Sequence, residues 1–270
     1  MRRALVCFVL LSSVSAFAQS TCRELVPKLM DASGLTRSLA LLPEAMREMT
    51  EAQLDREGSM PVDTKRALED VMTHGFDVDR ITRNTTSKML SSCDASAYAA
   101  VLADMQSPLG QKMVQLQLDP MSSPEATTRM RHFIAAFAMQ SPRESRLNLI
   151  HDLMDTTKEA EISTDEALQV TLTMTRTAFN VSPSADQVDA FRQEMLSRIR
   201  DVMVARYYYI YRSCTDDELQ QITVMEATKP VQRFNQDVAK ALLFAFSEET
   251  TDLAGKLKKI VNDEKVKHGE

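Results

Sequence analysis

The chain has few of the residues that an all-β protein needs at its turns. It contains no tryptophan and only six glycines in 270 residues. Strands connected by hairpins require frequent glycine-rich turn signals, whereas alanine, leucine, methionine, glutamine, glutamate, lysine and arginine favour helices. We therefore predict an all-α fold.

Long apolar segments are also scarce, and the most prominent one opens the chain. Arg2 and Arg3 precede an apolar run from Ala4 to Val14, and Ala16-Phe17-Ala18 provides a small-x-small cleavage site. This run is shorter than the roughly 20 residues of a membrane span, and its flanks are typical of a signal peptide. We predict that residues 1–18 are removed after Ala18 and that the mature protein is periplasmic or secreted, with no transmembrane segment.

A concentrated basic surface is missing as well. The formal charge is −6, and it becomes −8 once Arg2 and Arg3 leave with the signal peptide. Nucleic acid is therefore a poor candidate partner. The one basic cluster is interpreted as a solvated helix end; it comprises Lys256, Lys258, Lys259, Lys265 and Lys267.

Sequence motifs for catalysis, cofactors and metals are absent. The four histidines are scattered, the glycines are isolated, and no Gly-x-Ser-x-Gly motif occurs. We therefore assign no catalytic, cofactor-binding or metal-binding residue. The 17 methionines, Met46 and Met49 among them, leave copper(I) open as an alternative. Methionine more often fills gaps between helices or lines an adaptable binding surface.

Three cysteines remain after cleavage, so at most one intramolecular disulfide can form. If the first four helices run up and down, Cys22 and Cys93 lie at the same end of the bundle, and we expect them to pair. A bond between Cys93 and Cys214 would instead connect the two halves of the chain.

Helix starts are marked by capping residues. Four Ser-Pro pairs place serine at a cap and proline at the first helical position. Capping boxes are predicted at Ser141 with Glu144, Ser163 with Glu166, and Thr215 with Glu218. Apolar spacing predicts the later helices over 142–158, 164–180, 184–212, 216–227 and 230–247, followed by a frayed end from 252 to about 266.

The chain matches itself at an offset of about 121 to 124 residues. Leu29-Met30-Asp31 then aligns with Leu153-Met154-Asp155, and Ser92-Cys93-Asp94 aligns with Ser213-Cys214-Thr215. Pro108 meets Pro230 with one residue of slippage. This period is too long for a solenoid repeat. We therefore predict a tandem duplication of two related helical bundles packed together, with domains over 19–140 and 141–250 and a frayed basic C-terminal helix or tail over 251–270.

The same positions carry a family resemblance. The first half contains Ser107-Pro108-Leu109-Gly110-Gln111-Lys112, and the second contains Thr215-Asp216-Asp217-Glu218-Leu219 followed by Pro230. These residues resemble a bacterial family of exported helical domains, domain-of-unknown-function family 2059, whose pattern is Phe-Thr-x-x-Glu-Leu and then Phe-Tyr-x-Ser-Pro-x-Gly-Gln-Lys. The resemblance implies a helical fold and an envelope location but no chemistry.

Four of the five tyrosines lie in one helical stretch, at 207, 208, 209 and 211. Because they face several directions, Tyr207, Tyr208 and Tyr211 are candidates for an interaction surface. The alternative is that they pack a long helix between the two bundles.

These observations favour a non-enzymatic envelope protein that binds a protein, a peptide or an apolar ligand. The rival is an envelope hydrolase whose catalytic residues are dispersed along the chain. A pocket with converging acids and shifted pKa values would favour the hydrolase, and an apolar groove with methionine and tyrosine would favour binding.

Overall fold

The computed structural model describes residues 21–44, 47, 62–75 and 77–268. In these ranges the regular structure is helical and no strand occurs, which confirms the all-α prediction. The helices are α1 Cys22–Ala32, α2 Leu35–Ala40, α3 Val62–His74, α4 Val78–Ser92, α5 Ala95–Gln106, α6 Pro108–Leu118, α7 Pro124–Phe137, α8 Glu144–Thr157, α9 Glu159–Phe179, α10 Ala185–Ile210, α11 Asp216–Glu226 and α12 Lys229–His268. A 3₁₀ turn, Asp119–Met121, follows α6. The predicted signal peptide, Met46 and Met49 lie outside the described residues.

Several helices begin where the capping residues predict. Ser107 accepts a hydrogen bond from the backbone N–H of Gly110 at 3.0 Å, and Pro108 occupies the first turn of α6. Thr215 and Glu218 form a reciprocal capping box at the start of α11. These contacts satisfy amide groups that have no partner within the first turn of a helix.

Two predicted capping boxes are wrong. Helix α8 begins at Glu144 with Arg143 in the cap position, so Ser141 does not cap it. Helix α9 begins at Glu159, four residues before Ser163, because Lys158 adopts a left-handed backbone that ends α8 and starts α9. Ser163 and Glu166 therefore lie within α9, and their side chains are available for other contacts.

The predicted break near residue 250 is also wrong, since α12 runs unbroken for 40 residues. Its Leu253 and Ala254 are fully buried. Glu249 is buried too, where it pairs with Arg80 of α4 and accepts a hydrogen bond from the backbone N–H of Asp77 at 3.1 Å. The proposed boundary at 251 thus falls inside a packed helix.

The two halves of the chain share one apolar core. Helix α12, from the second half, packs against α3, α4 and α5 of the first half and against α9 of its own. Helix α7, from the first half, packs against α10 of the second. The two predicted halves therefore pack together through several helices, and the duplication stays a prediction.

Within each half, one pair of helices also packs closely. Helix α1 packs against α5, and α8 packs against α11. The aligned residues Leu29 and Leu153 are both buried, as are Val101 and Ile222.

The first half of the chain contains a disulfide, and the cysteine of the second half is free. A disulfide joins Cys22, at the start of α1, to Cys93, directly before α5, while Cys214 is buried and free. Arg146 lies 124 positions after Cys22 in the sequence. Its guanidinium donates to the Tyr211 carbonyl at 2.6 Å and to Asp216 at 2.7 Å. A buried arginine thus connects α8 to the segment before α11, where the first half has a disulfide.

Candidate functional site

A cleft of about 370 Å³ lies between the two halves of the chain. It is bordered by α2, α5 and α6 from the first half and by α9, α10, α11 and α12 from the second. Its volume is in the range of pockets that hold small molecules. The cleft is partly open to solvent, and it is the candidate functional site.

Helical periodicity brings the lining residues together. Positions that are three or four residues apart share one face of a helix, and each of four helices presents such a face to the cleft. The faces are Met113, Val114, Gln117 and Leu118 on α6; Glu159, Ile162, Ser163 and Glu166 on α9; Arg206, Tyr207, Ile210 and Tyr211 on α10; and Phe234, Asn235, Val238, Ala239 and Leu242 on α12.

Equivalent positions of the two halves line the cleft. The lining positions 113, 114, 117, 118 and 121 each have a lining counterpart 121 residues later, at 234, 235, 238, 239 and 242. Met105 of α5 and Glu226 of α11 are related by the same offset, and both line the cleft. The lining positions of the cleft thus recur at the offset at which the sequence matches itself.

The two walls differ in chemistry. Leu35, Met105 and Val114 of the first half are apolar, whereas the aligned positions of the second half are Glu159, Glu226 and Asn235. All four charged lining residues come from the second half; they are Glu159, Glu166, Arg206 and Glu226. The first-half lining is thus uncharged and includes three methionines, whereas the second-half lining combines all four charged residues with apolar ones such as Phe234 and Leu242.

Burial perturbs two of these carboxyl groups. Removal from water raises the pKa of Glu166 to about 7, and the nearby Glu159 carboxylate adds to the increase. Burial and Glu159 also raise the pKa of Glu226, while a hydrogen bond from Asn235 at 2.9 Å opposes the increase. Both groups are therefore easier to protonate than an exposed glutamate.

Two tyrosines form the floor of the cleft. The Tyr207 hydroxyl donates to Glu159, and the Tyr211 hydroxyl accepts from the Gln117 side chain at 3.0 Å. Their rings meet edge to face with centroids 5.7 Å apart. Burial raises the pKa of both hydroxyls, so both remain protonated at neutral pH.

The predicted tyrosine surface is wrong for these two residues. Tyr207 and Tyr211 are only 3% and 2% exposed, because they are one turn apart on the face of α10 that packs into the core. Tyr208 is half-buried and contacts the rings of Phe133 and Phe137 on α7. The packing alternative describes this cluster.

The family-like motif residues build helix ends and helix contacts. Ser107, Pro108 and Gly110 form the first turn of α6, and the side chain of Gln111 donates to the carbonyl of Gln106. Gly110 is buried at a point where a Cβ atom would meet the end of α5. None of the motif residues, all of which are described, lines the cleft.

The second motif packs against the first. Glu218 of α11 pairs with Lys112 of α6 at 2.7 Å, and Leu219 is fully buried. Pro230 lies in the first turn of α12, one residue later than Pro108 lies in α6. The motifs therefore hold α6 and α11 together across the two halves.

Sequence reasoning missed the charged residues of the cleft. Glu226 follows Leu219 and Ile222 on the apolar stripe of α11, and this acid on a core face was the available signal. The spacing of Ser163 and Glu166 predicts a capping box, which gives Glu166 a role at a helix end and not in a cleft. Arg206 was not singled out, and its Nε atom is buried with no hydrogen-bond partner among the described residues.

Comparison with known proteins gives no match: no protein-family model, no curated protein and no solved structure matches the chain. The family resemblance therefore stays a prediction. Within the described ranges, no three histidine, cysteine or acidic residues are grouped so that they could hold a metal ion. No helix of the described part has both the length and the apolar character that crossing a membrane requires.

Proposed function

We propose that this chain is an exported, non-enzymatic helical protein that binds a small apolar ligand in the cleft between two duplicated halves. The observation that carries the proposal is the cleft itself, with its wall of methionine, leucine and valine opposite a polar wall. Apolar pockets with a few converging polar groups are typical of ligand sites. A cleft of about 370 Å³ suits a small molecule better than a folded protein partner.

The duplication is part of this proposal. It is supported by the lining positions that recur at a constant offset and by the matching helix pairs α1 with α5 and α8 with α11. A ligand site at the junction of two copies needs both copies, which gives a reason for keeping them in one chain.

Export and membership of the resembling family are proposed on the sequence alone. If the signal peptide is cleaved as proposed, N-terminal sequencing of the protein from the cell envelope will begin at Gln19. A mature protein that retained Arg2 and Arg3 would contradict the export proposal.

Ligand binding can be tested with the mature protein and a neutral fluorescent probe, N-phenyl-1-naphthylamine. We expect saturable binding at one site. Ala239→Phe and Val238→Phe place larger side chains in the cleft, so each should weaken probe binding at least roughly tenfold. Ala99→Phe is the matched control because Ala99 is exposed on α5 and lies outside the cleft.

Circular dichroism of each variant establishes that it is folded. Probe binding that is absent, or that is equal in the cleft variants and in Ala99→Phe, would contradict the proposal.

One observation favours a second function, an envelope hydrolase. A carboxyl group with a pKa of about 7 beside a second carboxylate is the pair that acid-base hydrolysis of glycosides uses. Glu159 and Glu166 are seven residues apart on α9, which is about 10 Å along the helix axis. Turnover of envelope glycosides, esters or peptides by the purified protein, abolished in Glu166→Gln, would favour the hydrolase and contradict the binding proposal.

A further inference from the structure

The charges that line the cleft do not balance. Three carboxyl groups, Glu159, Glu166 and Glu226, face a single cation, Arg206. Neither Glu166 nor Glu226 forms an ion pair with any residue that the structure describes. Burial favours the protonated form of both acids, whereas a cation bound beside them would favour the ionised form, so this wall can accept an additional positive charge.

The hydrogen-bonding capacity of the acids is also incompletely used. Glu226 is only 6% exposed, and one of its oxygens accepts from Asn235 at 2.9 Å. Its other oxygen, Oε1, has no donor within the described ranges, and neither oxygen of Glu166 has one. These oxygens are not fully shielded from the cleft, so a ligand N–H group bound there could donate to them.

The opposite wall requires a different part of the ligand. Met105, Met113, Val114, Leu118 and Met121 present side chains without charge or strong hydrogen-bonding groups. Flexible methionines adapt to the shape of an apolar body. A ligand that satisfies both walls therefore has a cationic end and an apolar body.

We infer that the cleft selects a small amphiphilic amine, whose apolar body lies against α5 and α6 while its ammonium group contacts Glu166 and Glu226. An anionic amphiphile is disfavoured because it meets three carboxyl groups and one arginine. The inference rests on the proposed function, since it names the chemical class of the ligand for the same cleft.

The test compares three amphiphiles of equal chain length, decylamine, decanol and decanoate, as competitors of the neutral probe on the mature protein. Decylamine should displace the probe at a concentration at least roughly tenfold lower than decanol does, and decanoate should compete least. Glu166→Gln and Glu226→Gln should each reduce the preference for decylamine over decanol roughly threefold or more.

Glu161→Gln is the matched control, because Glu161 is on the same helix as Glu166 and does not line the cleft. It changes the net charge by the same amount and should leave the preference intact. Equal competition by all three amphiphiles, or a preference for decanoate, would overturn the inference and leave the proposed function standing. Failure of the probe and of all three amphiphiles to bind would overturn both.

Discussion

The disulfide between Cys22 and Cys93 closes a long loop, and its removal should have a large effect on stability. The two cysteines are 71 positions apart. On the loop-entropy relation, closing a loop of that length stabilises the folded state by about 4 kcal/mol at 25 °C, as an upper value. A protein of this size gains roughly 2–4 °C in melting temperature per kcal/mol. We therefore expect reduction to lower the melting temperature by roughly 8–16 °C.

The assay is thermal unfolding of the mature protein, followed by circular dichroism with and without reductant. The double variant Cys22→Ser/Cys93→Ser should match the reduced wild type and should not respond to reductant. Cys214→Ser is the control, because Cys214 is buried and free and its removal should leave the response to reductant intact. Equal melting temperatures of the oxidised and reduced wild type would refute the reasoning, as would a Cys214→Ser protein that is insensitive to reductant.

Three further predictions concern packing and charge. Gly110→Ala should lower the free energy of unfolding by about 3 kcal/mol, because the added Cβ would come within 2.8 Å of the Met105 Cα atom. Gly255 has open space around it, so Gly255→Ala should raise the free energy of unfolding by about 0.5–1 kcal/mol. Equal urea midpoints for the two variants would contradict both expectations. Leu253→Ala should cost about 2–5 kcal/mol in urea unfolding because Leu253 is fully buried, and an effect below about 0.5 kcal/mol would mean that this end of α12 does not pack. The pKa of Glu166 is raised to about 7, so the ionised form of this side chain is disfavoured in the folded protein. The contribution of Glu166 to the free energy of unfolding is therefore greatest below pH 4 and falls by about 3 kcal/mol as the pH rises to about 7. Glu166→Gln should therefore gain stability relative to the wild type between pH 4 and pH 8, and a constant difference over that range would contradict the assignment. Glu166→Gln leaves the other charged residues of the cleft unchanged; these are Glu159, Arg206 and Glu226.

Local signals predicted the beginnings of helices well. Ser107 with Pro108, and Thr215 with Glu218, act within a single turn, so the residues that form the cap are adjacent in sequence. Apolar spacing likewise predicted a long helix over 184–212, close to the observed Ala185–Ile210. These features depend on contacts that span only a few residues.

The errors arise where distant residues decide the outcome. The polar residues near Glu249 predict a break in the helix. Glu249 is nevertheless buried within α12, because Arg80, 169 positions earlier, forms an ion pair with it. Ser163 and Glu166 had the spacing of a capping box, but Lys158 starts the helix earlier. In both cases the local pattern was compatible with two structures, and long-range packing selected one.

The cleft could be anticipated only in part. Apolar spacing predicted α12, but the cleft that it lines also depends on the acidic residues of α9 and α11. Glu159, Glu166 and Glu226 span 67 positions of sequence and meet only in the folded chain. No motif connects them, because the site arises from helices packing across the two halves.

The packing of α12 limits how early the N-terminal half can finish folding during synthesis. This helix is synthesised after the other described helices, yet it covers α4 and α5, which are made well over a hundred residues earlier. Domains usually fold as units in the order of their synthesis. The apolar surfaces of α4 and α5 that contact α12 stay uncovered until α12 has been synthesised. A nascent or truncated chain that ends before α12 is therefore expected to be prone to aggregation.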